Sequence, residues 1–430
     1  MSATTLAQRI LERKVGHAVA PGDVVDVDVD VALTHDVLGP LTFARFEELG
    51  VPLWDPDKVY ITIDHFVPAA TREQAENNAA ITEAVRRHGV RATAFYDGPS
   101  HQTLAESGMV RPGHVVVGTD SHTCTAGALG AFATGIGSTE MVGVFVRGHL
   151  WFRVPEGIAV LFHGALAPGT SAKDAVLELL ARIGVDGATY CSLEFGGPGL
   201  ERLPMDERLV LANMSVELGA KTGIVEVDGA TLDYLGLAPD DDPALRMDAD
   251  APYARRIDID LSELVPLVAA PHSPENVRPV TELAGRVPVH QAFIGSCTGG
   301  RLTDYRAAAA ILDGRKVAPG VRLIVTPASK KIYRALLHEG IVDVFADAGA
   351  IVEPASCGPC AGLQAGILAD GENAIAASNR NFRGRMGNPN ANVYLASPAT
   401  VAASAVAGAV ADPRELLTEA RAPAVTGSAP

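Results

Sequence analysis

The stretch EPASCGPCAGLQAG, Glu353–Gly366, sets Cys357 and Cys360 three positions apart around Gly358 and Pro359. A disulfide, a redox dithiol, a zinc ion and an iron–sulfur cluster all use this spacing. The 430-residue chain has five cysteines, an odd number and widely scattered. Its start, MSATTLAQRILERKVGHA, reads as a short amphipathic helix with charges throughout and no apolar secretory core, which predicts a cytoplasmic protein. Metal or catalytic use of the pair is the better reading than a disulfide framework.

A structural zinc needs four ligands, usually as two short-spaced pairs, and neither a second CxxC nor an HxxxH is present. A redox dithiol normally opens a βαβ unit near an N-terminus, whereas this pair lies deep in the chain. Cys297, in GSCTGGR, decides between the remaining readings. It follows an apolar run, in a loop of the same layout, so three thiolates from two loops can converge on one [4Fe–4S] cluster. Three ligands leave one iron open, where a substrate oxygen can bind. Pro359 fixes φ at the start of an expected helix, AGLQAGILADG (Ala361–Gly371), whose N-terminal dipole would face the anionic cluster. Cys124 and Cys191 read as small buried hydrophobes.

Composition bounds the rest. Apolar residues make up 47% and charged residues 20%, and the length suggests two or three domains. Even the most apolar stretches, such as TVAASAVAGAV (Thr400–Val410), fall short of a membrane span. A net charge of −16 excludes sequence-independent nucleic-acid binding and requires any anion-binding arginines to be concentrated locally. β-branched runs alternate with Ala-rich helical patterns, which predicts an α/β fold with parallel-rich sheets. Three segments run strand, Gly/Ser/Thr/Cys loop, small-residue helix: His114–Phe132, Val289–Leu312 and Ala350–Leu368. In such sheets ligands bind beyond the carboxyl ends of the strands, so all three loops are candidate site walls. The expected α/β domains are 1–155, 156–255 and 256–415, with a polar connection at Leu235–Arg256 and a frayed tail over 416–430.

GTDSHT (Gly118–Thr123), GSCT (Gly295–Thr298), CGPC (Cys357–Cys360), SNRNFRGR (Ser378–Arg385) and YLASPATVAASAVAG (Tyr394–Gly408) occur in one order and spacing. On these motifs the chain resembles the aconitase superfamily, and within it the large-subunit family of isopropylmalate dehydratases. The resemblance implies a three-domain α/β/α assembly with the active site at the domain junction. It also implies a [4Fe–4S] hydro-lyase held by Cys297, Cys357 and Cys360. The family's swivelling fourth domain is absent from the chain, so a separate small subunit is expected to bring it, with the catalytic serine base. The substrate class implied is an anionic di- or tricarboxylic acid, isopropylmalate first and homoaconitate or a dimethylmalate as the alternative.

The resemblance also implies roles. His65 is the acid that protonates the departing hydroxyl, with Asp64 beside it in ITIDHFVP; a carboxylate neighbour raises a histidine's pKa and fixes its tautomer. Asp120, Ser121 and His122 position water and substrate, and Asp120 also reads as a helix N-cap. His101 and Glu194 hold the proton network. Arg380 and Arg385 offer guanidinium forks to substrate carboxylates, and His35, next to Asp36, stands on the substrate side. Two other classes compete. An RNA-binding regulator conflicts with the acidic balance, and an electron carrier requires a fourth thiolate from Cys124 or Cys191.

Overall fold

In the computed structural model, residues 3–238 and 245–417 are described. Part of the polar connection (239–244) and the tail beyond Leu417 lie outside them. The first sheet has five parallel strands in the order Ala92–Phe95, Val59–Ile63, Val31–His35, Val115–Gly118, Phe132–Gly135. The second is also parallel: Thr222–Val225, Ser192–Gly196, Gly157–His163, Arg255–Asp260. It thus takes its last strand from beyond the polar connection.

The third sheet has seven strands, in the order Val277–Pro279, Leu267–Ala269, Asn392–Ala396, Asn373–Ala376, Gln291–Gly295, Arg322–Thr326, Ile351–Val352. Its last five strands are parallel, and the first two join it antiparallel. The strands Val31–His35, Val59–Ile63, Ser192–Gly196 and Gln291–Gly295 are buried at every position. That pattern belongs to parallel strands covered on both faces, and it explains why they show no apolar–polar alternation and why their few polar residues are buried.

The sheets meet tightly because small residues stand at their junctions. A Cβ on Gly127 would fall 1.8 Å from the Gly223 carbonyl oxygen, so only glycine lets the Ser121–Leu129 turn lie against the second sheet. The expected N-terminal helix forms over Leu6–Val15, with Thr5 and Gln8 making a capping box. The helix expected over Ala361–Gly371 does not form. A single 3₁₀ turn, Gly358–Ala361, ends at Gly362, whose φ of 65° breaks the helical path. A Cβ there would lie 2.4 Å from the Gly387 amide nitrogen, so the close approach of the 387 loop replaces helix continuation.

Candidate active site

Parallel strands deliver their loops to one side, and the candidate residues sit at strand carboxyl ends. His35 ends the strand Val31–His35, Asp64 and His65 follow Val59–Ile63, and Asp120 follows Val115–Gly118. Cys297 follows Gln291–Gly295, and Ser378–Arg380 follow Asn373–Ala376.

His35, Asp36, Asp64 and His65 form one group, with a ligand atom of each within 4.8 Å of the others. His65 Nδ1 lies 2.9 Å from Asp64 Oδ1 and 3.3 Å from Asp36 Oδ1. Asp64 also accepts the Ser100 amide at 2.6 Å, and Asp36 accepts the Phe66 amide at 2.7 Å, so both carboxylates are locked. Burial opposes a charged imidazole, but Cys357, Asp64 and Asp36 together hold the pKa of His65 well above the usual histidine value. Nδ1 is engaged by the two carboxylates, and the ring also hydrogen-bonds the Cys357 thiol. His35 packs against His65 with ring centroids 4.7 Å apart and the rings tilted by 31°, and burial followed by repulsion from His65 lowers its pKa.

The second group is His101, Asp120 and His122. His101 Nε2 lies 3.0 Å from Asp120 Oδ1, and the His122 amide donates to the same oxygen at 2.7 Å. Asp120 therefore caps the Ser121–Leu129 turn and holds a histidine at once. His122 Nε2 reaches Glu217 Oε1 at 2.9 Å. Burial works against its charge, but Glu217 and Asp120 carry its pKa up to about 10. Arg380 donates from Nε to Glu217 at 2.7 Å and from Nη2 to Ser121 Oγ at 3.0 Å.

The thiols come next. Cys297 and Cys360 bracket one side chain: Asn379 Nδ2 is 3.8 Å from Cys297 Sγ and its Oδ1 is 3.6 Å from Cys360 Sγ. Asn213 Nδ2 donates to Cys297 Sγ at 3.2 Å. The Cys357 amide donates to the Asp64 carbonyl at 3.1 Å, which ties the CxxC loop to the strand end bearing His65. Burial raises the thiol pKa of Cys360, but the Arg385 guanidinium, 3.5 Å away, together with Ser296 and His122 outweighs it and leaves the value lowered. Cys357, with burial dominant, is pushed up. Cys124 is buried, with its Sγ 3.3 Å from the Asn213 carbonyl oxygen.

Two departures from the sequence reading concern glutamates. Glu194 does not join either histidine group. Its carboxylate accepts the Leu6 and Ala7 amides at 2.7 and 2.9 Å, Tyr253 Oη at 2.8 Å and Ser192 Oγ at 2.9 Å. With four partners it anchors the start of the Leu6–Val15 helix, and no lone pair is left for a proton network. Glu217 takes the position expected of it. NMSVEL (Asn213–Leu218) carries no motif, but its one signal was a carboxylate inside an apolar run, which needs a buried cation partner. Asn213 and Asn379 were likewise missed.

The Aconitase family (aconitate hydratase) matches residues 8–408. The chain is 49% identical over 418 residues to the 3-isopropylmalate dehydratase large subunit 1 of Methanopyrus kandleri, covering 96% of this chain and 99% of that one. It is 48% identical to the probable 3-isopropylmalate dehydratase large subunit of Methanothermobacter thermautotrophicus, with 96% and 99% covered. The large subunit of Oleidesulfovibrio alaskensis is 48% identical, with 96% and 100% covered. A solved structure, the holo-form aconitase X of Thermococcus kodakaraensis, aligns with 87% of this chain and 89% of its own at a TM-score of 0.48 and 13% identity. A match across nearly all of the chain, together with near-half identity to these relatives, means that the chain belongs to the aconitase family.

Proposed function

We propose that this chain is the large subunit of a [4Fe–4S]-dependent hydro-lyase that dehydrates and rehydrates a hydroxy-dicarboxylic acid, with isopropylmalate as substrate and a separate small subunit as partner. The relatives' names support the substrate and the partner. The observation that carries the chemistry is the joining of Cys297 and Cys360 through Asn379, with Cys357 bonded to the strand end of His65.

Cys297, Cys357 and Cys360 would hold the cluster, and the residues around them fit it. Among the described residues, His35 Nε2, His101 Nδ1, Glu217 Oε2 and Arg385 Nε are buried without a hydrogen-bond partner. Two of them belong to the histidine groups, one to the partner of His122 and one to the guanidinium beside Cys360, and such open atoms are what a site built for a polar, anionic guest leaves. When bound, the cluster supplies a Lewis-acidic iron that polarises the substrate hydroxyl.

The chain does the rest. His65, held charged by Asp64 and Asp36, gives its Nε2 proton to the departing hydroxyl, which leaves as water. Arg380 and Arg385 grip substrate carboxylates, Arg385 with its free Nε. Ser121, fixed by Arg380, and His122, fixed by Glu217, orient the bound acid; His101 and Asp120 keep that side polar and rigid. The proton on the neighbouring carbon goes to a serine base of the small subunit, and water re-adds at the other carbon. Anaerobic reconstitution with candidate small subunits, assayed against isopropylmalate, homocitrate, dimethylmalate and citrate, tests this. Turnover of isopropylmalate is expected. A cluster-loaded pair that turns over another acid but not isopropylmalate would refute the substrate assignment.

A further inference from the structure

Lys173 lies in the first turn of the helix Ala172–Ile183, just after its N-cap Ser171. This is the wrong end of a helix for a cation, because the N-terminus carries the positive end of the macrodipole. It is also 2% exposed, and among the described residues no other lysine is buried. Burial lowers its pKa to about 8, against the attraction of Glu217 and Cys360. Both placements cost free energy that an apolar side chain of similar length would avoid.

What Lys173 reaches explains the placement. Its Nζ donates to the Ser378 carbonyl oxygen, across from one sheet to the next. Ser378 is followed by Asn379, which brackets Cys297 and Cys360, and by Arg380, which holds Glu217 and Ser121. The neighbouring Asp174 accepts the Leu267 amide at 2.8 Å, so two consecutive side chains clasp the third sheet from the second. A buried ammonium here also sets a fixed positive charge beside a thiolate-rich anionic site, and such charges act strongly where water is excluded.

We propose that Lys173 is a positioning residue that pins the Ser378–Arg380 segment under the thiols and supplies the site with a buried positive charge. This rests on the proposed function for the identity of the anionic group, but the pinning does not. The test compares the parent chain with Lys173→Met and Lys173→Arg. In the cluster-free chain, amide exchange over residues 376–382 is expected to be at least tenfold faster in Lys173→Met and restored in Lys173→Arg. After reconstitution, the cluster in Lys173→Met should have a lower midpoint potential than in the parent. With the small subunit present, KM for the dicarboxylate should rise severalfold more than kcat falls. Lys173→Gln, which keeps a donor but no charge, is the second variant should the methionine chain not fold. Unchanged exchange and unchanged potential in a folded neutral variant would overturn the proposal. A parent that takes up no cluster would sink the proposed function, and the exchange comparison would still decide Lys173.

Discussion

Replacing Glu217 with glutamine removes one charge and almost no volume. In the parent the carboxylate accepts from His122 Nε2 at 2.9 Å and Arg380 Nε at 2.7 Å, with both groups buried or nearly so. Both donors reach Oε1, so the amide oxygen can still face them, but the negative charge that holds two cations is lost and an NH₂ takes the place of the unpartnered Oε2. Breaking a buried pair this way costs about 3 kcal/mol, the low end for loss of one partner, since the shape is retained. A 430-residue chain unfolds with an entropy of about 0.9 kcal/mol/K, so the melting temperature should fall by about 3 °C.

The pH dependence separates charge from packing. His122 has its pKa raised from 6.5 to about 10, so its contribution is fully present below pH 6.5 and drains away as pH rises toward 10. The slope is about 1.4 kcal/mol per pH unit for one proton. Without Glu217 the histidine loses its main support and the variant has less to lose. Calorimetry of the cluster-free chain should therefore show the gap between parent and Glu217→Gln losing most of its about 3 kcal/mol between pH 6.5 and pH 9. A gap that stays constant or widens over that range would refute the assignment of Glu217 as the charge partner of His122.

Three further outcomes are expected. Alanine at Cys297, Cys357 or Cys360 should abolish iron uptake on anaerobic reconstitution, measured as iron per chain, whereas Cys124→Ala should keep it. Glu194→Gln should lower stability in thermal unfolding by about 2 kcal/mol, through loss of charge-assisted bonds to the Leu6 and Ala7 amides, and leave turnover per cluster unchanged. Arg385→Lys should raise KM about tenfold, or about 1.4 kcal/mol, with a smaller change in kcat, because an ammonium cannot reproduce the guanidinium fork.

The parallel sheets and the loops at their carboxyl ends were legible because fully buried strands leave apolar-rich stretches without alternation and the Gly/Ser/Thr loops punctuate them. That Cys297 and Cys360 would lie together was legible because thiols in such loops are candidate ligands for one metal group. Glu217 was not, because its meaning arises only when a 3₁₀ turn brings it against His122 and Arg380, 95 and 163 positions away in the chain. Glu194 was misplaced because a short motif says which residues are polar and not which partners satisfy them. The helix expected after Pro359 failed because small residues fit both a helix and a close crossing. The contact between Gly362 and the 387 loop, invisible locally, chose the crossing.

One feature described above governs how the site comes into being. Its histidines hang from the first sheet, Asn213 and Glu217 from the layer of the second, and its thiols and arginines from the third. During synthesis His65 is complete long before Arg385, the last of these side chains, leaves the ribosome. On the proposed function, iron uptake therefore needs a chain already assembled, and it reports completed folding.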